Sequence, residues 1–107
     1  MPLESKFKSN LIKKIKTMYP GAIILKNNAN QIQGFPDNII LEGSRWAVFD
    51  AKKDESSPRQ PNQEYWIHLL NEMSFAAFVY PQNEERFLYE LQQAFRAGGG
   101  PRFSIRK

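Results

Sequence analysis

Residues 34–52 read GFPDNIILEGSRWAVFDAK, and this stretch decides how the chain folds. Two apolar runs, 38–41 and 45–52, flank the short segment Glu42-Gly43-Ser44. A glycine at the first central position of a two-residue turn favours the type II′ geometry that joins antiparallel strands. We therefore predict a β-hairpin in which the numbers of paired residues always sum to 87.

This register places two acids face to face. Asp37 lies directly opposite Asp50, with Cβ atoms about 4.5–5.5 Å apart. Because side chains alternate along a strand, Asp50 and Lys52 share a face with Trp46 and Val48, and Lys52 lies about 6.6 Å beyond Asp50. We expect Trp46 and Val48 to point into the core, which leaves both acids and the lysine at its rim.

Two opposed carboxylates repel each other, so a cation between them would explain their placement. The chain has no cysteine and one histidine, which favours Mg²⁺ or Mn²⁺ over Zn²⁺. Each residue also has an ordinary explanation when taken alone. Asp37 starts a strand, Asp50 ends one, and Lys52 is solvated; only the register connects the three.

Apolar periodicity and Pro, Gly and Asn punctuation predict the elements around the hairpin. The predicted order α-β-β-β-α-β-α describes a mixed α/β domain with a central mixed sheet flanked by helices. We assign residues 1–96 to this domain and residues 97–107 to a flexible basic tail, because three consecutive glycines separate them. The predicted elements outside the hairpin are a helix over Leu3–Met18, a strand over Ala22–Leu25, a helix capped by Asn62, a strand over Phe75–Tyr80 and a helix capped by Asn83.

Length and composition exclude several classes of protein. A chain of 107 residues and 12.5 kDa, with 41% hydrophobic residues, forms one folded domain. The absence of cysteine excludes a disulfide scaffold, a thiolate metal site and a cysteine nucleophile. No apolar run has the length of a membrane span, and none near Met1 resembles a signal peptide. We therefore expect a cytoplasmic protein, or one of the host cytoplasm if it is viral.

Charge is distributed in three blocks. Residues 1–20 carry a net +4, residues 21–95 a net −4 and residues 96–107 a net +4. Basic ends around an acidic middle are typical of a protein whose ends hold a polyanion while the middle acts on it. Charge alone favours a simpler interpretation, a solvated lysine face on the first helix and a basic tail, because such charge runs are common.

Two polar residues border the predicted apolar helix faces. Glu4 points either toward the paired acids or into solvent, where it stabilises the helix dipole. Gln63 either reaches the same site or satisfies the start of its helix. The only histidine, His68, falls opposite the apolar stripe of its helix, so we expect it to be solvated.

The ordered set of these residues resembles the PD-(D/E)xK nuclease superfamily. The shared features are a helix with an early Glu4, the segment Gly34-Phe35-Pro36-Asp37, a hairpin, an apolar strand into Asp50-Ala51-Lys52, and Gln63 at the start of an apolar helix. The resemblance covers roughly residues 3–95 and is closest to the small stand-alone VRR-NUC nucleases of viruses and bacteria. RecU-type Holliday junction resolvases rank second, because their stalk region is missing.

The resemblance implies a restriction-endonuclease-like fold and a role for each site residue. Asp37, Asp50, the Ala51 carbonyl and Glu4 would bind a divalent ion, Mg²⁺ with Mn²⁺ as its substitute. Lys52 would orient water and stabilise charge on the phosphate, and Gln63 would lie beside the site. Asp50 stands where many members have Glu, which the superfamily pattern allows. The basic residues expected to contact DNA are Lys6, Lys13, Lys26, Lys53 and Arg59.

These expectations together predict a metal-dependent DNA endonuclease acting on branched DNA such as a Holliday junction. A C2 homodimer would present two active sites to opposite strands. The alternatives are a nuclease of the same fold directed to a sequence or a nick, and a non-catalytic basic DNA-binding module. A domain whose acidic middle binds another protein is a further alternative, against which the basic ends argue weakly.

Overall fold

The structure is a computed structural model that describes residues 3–27 and 32–96, with side chains described from Ser5 onward. The order of its elements confirms the predicted α-β-β-β-α-β-α arrangement. The boundaries agree within one or two residues; β1 begins and ends one residue later than predicted. The elements are α1 (Leu3–Met18), β1 (Ile23–Lys26), β2 (Asn38–Glu42), β3 (Arg45–Ala51), α2 (Gln63–Met73), β4 (Phe75–Val79), a 3₁₀ turn (Pro81–Asn83) and α3 (Glu84–Arg96).

The four strands form one mixed sheet in the order β1-β2-β3-β4. β1, β2 and β3 are antiparallel neighbours, and β4 runs parallel to β3. The hairpin register is confirmed from Glu42↔Arg45 to Asn38↔Phe49, where every pair sums to 87. Gly43 has a positive φ of 62° and Ser44 does not, which is the pattern of the predicted type II′ turn.

Helices cover both faces of the sheet, so the hairpin contributes to two clusters. α1 and α3 pack on the larger cluster, which contains Ala47, Phe49 and Ala51 of β3. α2 packs on the opposite face against Val48 and Trp46. Trp46 and Val48 face apolar residues as predicted, but they belong to the smaller of two apolar clusters. The residues that alternate with them on β3 are also apolar and contribute to the larger cluster on the other face.

The parallel pair β3 and β4 is joined by a long loop and α2. Residues 52–62 form an irregular segment, which suits the prolines at positions 58 and 61. Because β3 and β4 are parallel, the chain must return from the end of β3 to the opposite end of the sheet, where β4 begins. α2 makes this return, so its first residue lies near the end of β3. This geometry brings Gln63, the first residue of α2, to the end of β3 that carries Asp50.

The predicted caps of two helices are wrong in detail. Asn62 precedes α2 in a left-handed conformation, with φ 71°, and its side chain makes no cap hydrogen bond. Asn83 precedes α3, but its side chain binds backward, accepting from the Tyr80 N–H at 2.9 Å and donating to the Phe78 carbonyl at 3.1 Å. Asn62 thus marks its helix start by a left-handed backbone, whereas the Asn83 side chain caps the 3₁₀ turn that precedes α3.

Some predictions lie outside the described residues. The tail over 97–107 does, and so does the side chain of Glu4, although its backbone belongs to α1. Within residues 3–27 and 32–96, no helix combines the length and apolar character needed to cross a bilayer.

Candidate active site

Asp50 is the central residue of the site, and its side chain is almost completely buried. It is 1% exposed near the end of β3, one residue before the strand stops. Its Oδ1 accepts a hydrogen bond of 2.8 Å from the Asp37 N–H. Its Oδ2 is also buried and has no hydrogen-bond partner among the described residues. A buried carboxylate oxygen without a partner is costly, which makes it a candidate ligand for a cation.

The surroundings of Asp50 favour its neutral form in the absence of a cation. Burial is the main cause of a rise in the pKa of Asp50 to about 6, and the nearby Asp37 carboxylate contributes to the same rise. The Asp37 N–H, Lys52 and Lys8 oppose this rise in pKa because each stabilises the ionised carboxylate. A divalent cation at Oδ2 would supply the stabilisation that the buried, ionised carboxylate lacks.

Asp37 lies beside Asp50, but not as a member of the strand pair. β2 begins one residue later, at Asn38, and the Asp37 carbonyl accepts a hydrogen bond of 2.6 Å from the Asn27 N–H. Asp37 therefore presents its N–H to Asp50, while its half-buried carboxylate acts on Asp50 through charge. The register correctly predicted the proximity of the two acids but not this backbone hydrogen bond.

Lys52 and Gln63 meet directly. Lys52 Nζ donates a hydrogen bond of 3.1 Å to Gln63 Oε1, which also accepts a bond of 2.7 Å from the Gln60 N–H. Lys52 lies just beyond β3, and its own N–H still bonds the Val79 carbonyl at 2.8 Å. Gln63 is 6% exposed, so its amide positions the ammonium group from inside the fold. Gln63 thus combines the two roles considered for it, because it contacts Lys52 and also satisfies a backbone N–H at the start of its helix.

Gly34 holds the start of α2 against the segment that precedes Asp37. Its φ is +84°, and a Cβ built on it would lie 2.5 Å from the Pro61 carbonyl oxygen and 2.8 Å from the Gln63 nitrogen. Both the positive φ and the close approach require glycine at this position. The first residue of the Gly-x-Pro-Asp segment thus positions Gln63, and through Gln63 it positions Lys52.

The Ala51 carbonyl is suited to a ligand role by its place in the sheet. The Lys52 N–H donates to β4. Because the backbone groups of successive residues in a strand point to opposite sides, the N–H and carbonyl of Ala51 point toward β2. The register would place Pro36 opposite Ala51, and proline has no N–H to donate. Asp37, Asp50 and this carbonyl would supply oxygen ligands of the kind that Mg²⁺ prefers.

A third carboxylate is missing from the described part of the site. Among the side chains that the structure describes, no three His, Asp or Glu residues are placed to bind one metal ion. Glu4 is the predicted third acid, and its side chain lies outside the described residues. Lys8, on the next turn of α1, is close enough for its charge to lower the pKa of Asp50.

Sequence reasoning missed three contributions to this region. Lys8 contributes to the positive charge of residues 1–20, but the predicted site does not include it. Its i, i+4 spacing from Glu4 is the signal that could have placed it near the site. The packing of Gly34 against the start of α2 could not be predicted from the neighbouring sequence, because the two segments lie far apart along the chain. The guanidinium of Arg59 lies 4.0 Å from the ring centre of Phe78, the neighbour of Asp50 on β4.

The residues proposed for DNA contact divide into two groups. Four lysines (Lys6, Lys13, Lys26 and Lys53) are exposed and free to meet a phosphate backbone. Arg59 is half-buried on Phe78 and donates a hydrogen bond of 3.0 Å to the Ser57 carbonyl. Arg59 therefore fixes the loop after β3, a structural role that the prediction of a DNA contact did not include. His68 is solvated as predicted, with its side chain 82% exposed beside Glu72.

Searches with this chain against models of protein families, curated proteins and solved structures returned no match.

Proposed function

We propose that this protein is a metal-dependent DNA endonuclease that hydrolyses phosphodiester bonds, as the PD-(D/E)xK resemblance implies. The observation that carries the proposal is Asp50, a buried carboxylate whose Oδ2 has no partner among the described residues and whose surroundings include an acid, a lysine and a glutamine. A stable domain gains nothing from this arrangement without a cation, because burial raises the cost of the charge. The order α-β-β-β-α-β, with β4 parallel to β3, is also the order expected of that superfamily.

The donor set fits a hard divalent cation such as Mg²⁺. Asp37, Asp50 and the Ala51 carbonyl would hold it, with Glu4 as the further acid on α1. Bound there, the ion would polarise the phosphate and lower the pKa of a bound water. Lys52, held by Gln63, would stabilise negative charge that develops on the phosphate and orient the attacking water.

Recognition would depend on DNA shape rather than base sequence. The exposed lysines on α1, at the end of β1 and after β3 suit phosphate contacts, which position a protein without reading bases. We propose branched DNA as the substrate and a C2 homodimer as the acting form, because resolving a four-way junction requires cuts on two strands.

The test incubates the purified protein with labelled four-way junction, flap, linear duplex and single-stranded DNA. Each substrate is combined with Mg²⁺, Mn²⁺ or EDTA. The proposal predicts metal-dependent cleavage, with the junction cut fastest. Cleavage of linear duplex as fast as the junction would support the nuclease activity but contradict the preference for branched DNA. Binding without cleavage in either metal would favour the non-catalytic DNA-binding module instead.

A further inference from the structure

The outer strand β1 carries an apolar surface that no described residue covers. Ile23 is 56% exposed and Leu25 is 46% exposed. Ile23 pairs with Leu41 on β2, which is also exposed, and Leu41 pairs with Trp46 on the face of the sheet where α2 packs. Adjoining exposed side chains of this kind are typical of a surface that meets a partner.

The β4 edge of the sheet is closed to a further strand by side chains. The Ala76 N–H donates to Asn71 Oδ1 at 3.1 Å, and Asn83 Nδ2 donates to the Phe78 carbonyl at 3.1 Å. Both backbone groups point away from β3, because the alternate residue Val79 bonds toward it. Side chains that occupy such groups prevent edge-to-edge pairing.

The β1 edge has no such protection within residues 3–27 and 32–96. The Asn27 N–H donates to the Asp37 carbonyl at 2.6 Å, so the backbone groups of Asn27 point toward β2. Direction alternates along the strand, which leaves the groups of Ile24 and Lys26 pointing outward. Among the described residues, none makes a hydrogen bond to either of these outward groups.

β1 can pair with β1 of a second copy in only a few registers. A two-fold axis makes the strands antiparallel, and the outward groups of even-numbered residues must meet, so the numbers of paired residues sum to an even value. A sum of 52 places Lys26 opposite the other copy's Lys26, and like charges directly opposite destabilise a strand pair. A sum of 50 places Ile23 opposite the polar Asn27, and a sum of 46 places Lys26 opposite Pro20, which has no N–H.

A sum of 48 pairs apolar residues with apolar residues. Ile24 then lies opposite the other copy's Ile24, and Ile23 lies opposite Leu25 on both sides of the axis. Lys26 lies opposite Ala22, far from the other lysine. The Ala22 N–H is already bonded to the Tyr19 carbonyl at 2.9 Å, but the Ala22 carbonyl can accept from the Lys26 N–H of the second copy.

We propose that β1 is the interface of a C2 homodimer, in which it pairs antiparallel with β1 of a second copy through the register that sums to 48. Two sheets of four strands each then join into one continuous sheet. Ile23 and Leu25 of the two copies form a cluster of four apolar side chains, bordered on each side by Leu41. Strand addition at an open sheet edge is a recurrent mode of recognition.

This dimer determines how far apart the two candidate active sites lie. Asp50 contacts Asp37, and Asp37 contacts Asn27, which lies three residues beyond Ile24 at the two-fold axis. Five strand spacings separate β3 from its copy, so on a flat sheet the two Asp50 residues lie about 30 Å apart. The use of this pair of sites on two strands of branched DNA rests on the proposed nuclease function, whereas the interface does not.

The first test measures the mass of the full chain by sedimentation equilibrium. Leu25→Lys is compared with Met73→Lys, which also introduces a lysine at a half-exposed apolar position but lies on α2. The proposal predicts a dimer of the 12.5 kDa chain for the wild type and for Met73→Lys. Leu25→Lys should raise the Kd of the dimer at least about tenfold, because its charge meets Ile23 of the second copy.

The second test determines the register by disulfide cross-linking, since the chain has no cysteine of its own. Ile24→Cys places two thiols on directly opposed residues, with Cα atoms about 5.5 Å apart and within reach of a disulfide. Lys26→Cys is the control, because its two copies lie about 14 Å apart in this register. The proposal predicts that mild oxidation gives a covalent dimer of Ile24→Cys alone.

Three results would overturn the proposal. They are a wild type that stays monomeric up to its limit of solubility, a Leu25→Lys dimer as stable as the wild type, and cross-linking of Lys26→Cys rather than Ile24→Cys. A monomer whose Ile24 amide exchanges slowly would show that another part of the same chain covers β1. Metal-dependent cleavage by a monomeric wild type would refute the interface and leave the nuclease function in place, and a β1 dimer without cleavage would do the reverse.

Discussion

The buried charge of Asp50 lowers the free energy of unfolding when no cation is bound. Its pKa of about 6 exceeds the ordinary 3.8, so the native state holds the proton more tightly than the unfolded chain does. The ionised group therefore lowers stability above pH 6, and this cost disappears as the pH falls below 4. A carboxylate retained at such a cost is typical of a functional site.

Replacing Asp50 with asparagine should therefore stabilise the metal-free protein at alkaline pH. The amide keeps an oxygen for the Asp37 N–H and removes the buried charge. In EDTA at pH 8, Asp50→Asn should raise the free energy of unfolding by on the order of 2 kcal/mol, and the gain should fade at pH 4. Urea unfolding measures both values.

The matched control for this substitution is Glu55→Gln, which removes an exposed carboxylate in the following loop. It should change the stability by less than about 0.5 kcal/mol at either pH. Mg²⁺ should stabilise the wild type and leave Asp50→Asn unaffected. Asp50→Asn that is less stable than the wild type at pH 8 would refute this account of the buried charge.

Lys52 should act in the chemical step and contribute little to DNA affinity. It is half-buried and held by Gln63, so it is positioned for one phosphate rather than for general attraction. Lys52→Met should slow cleavage by about 10²-fold or more and leave the Kd for DNA within about threefold. Arg86→Met, which removes an exposed charge from α3, is the control and should cleave at the wild-type rate. Equal rates for the two variants would exclude a catalytic role for Lys52.

At the scale of elements, the contact between the Gly34 segment and the start of α2 assembles the site. Gly34→Ala combines a strained φ with a Cβ clash against backbone atoms of Pro61 and Gln63. We expect a loss of stability of about 2 kcal/mol or more, and a loss of cleavage that persists at temperatures where the variant is folded. Thermal unfolding and cleavage at 20 °C below the midpoint separate these effects.

Gly21→Ala is the control for that substitution. A Cβ at Gly21 meets no atom within 4 Å, and its φ is not in the left-handed region. It should change the stability by less than about 0.5 kcal/mol. Comparable losses from both alanines would show that Gly34 has no special packing role.

The hairpin and the order of elements could be predicted because they depend on local signals. Gly43 determines the turn, the turn determines the register, and the register places Asp37 beside Asp50. The contacts of Gly34 and Arg59 could not be predicted, because each depends on how segments distant in sequence pack together. The predicted side-chain cap at Asn62 is wrong for a related reason. Gly34 packs closely on the backbone at Asn62, where the chain has a left-handed conformation.

At the scale of the whole molecule, the site lies at one end of the sheet, and two of the exposed lysines lie at the same end. Lys26 ends β1 and Lys53 follows β3, so both lie at the end that carries Asp50. DNA affinity should fall steeply with salt, because each neutralised phosphate releases a counterion. A slope of log Kd against log salt near zero would contradict a phosphate-contacting surface.

Junction cleavage also requires two active sites in one particle. Light scattering under cleavage conditions should then report twice the 12.5 kDa mass of the chain. A pure monomer that still cuts DNA would support a nuclease acting on one strand at a time.

The most direct test of the central claim is the single-turnover cleavage rate of a labelled four-way junction in Mg²⁺ by the wild type, Asp50→Asn and Glu55→Gln. The account predicts that Asp50→Asn loses at least about 10³-fold in rate while it stays folded and bound to DNA, and that Glu55→Gln matches the wild type. Wild-type cleavage by Asp50→Asn, or equal cleavage in EDTA, would contradict it.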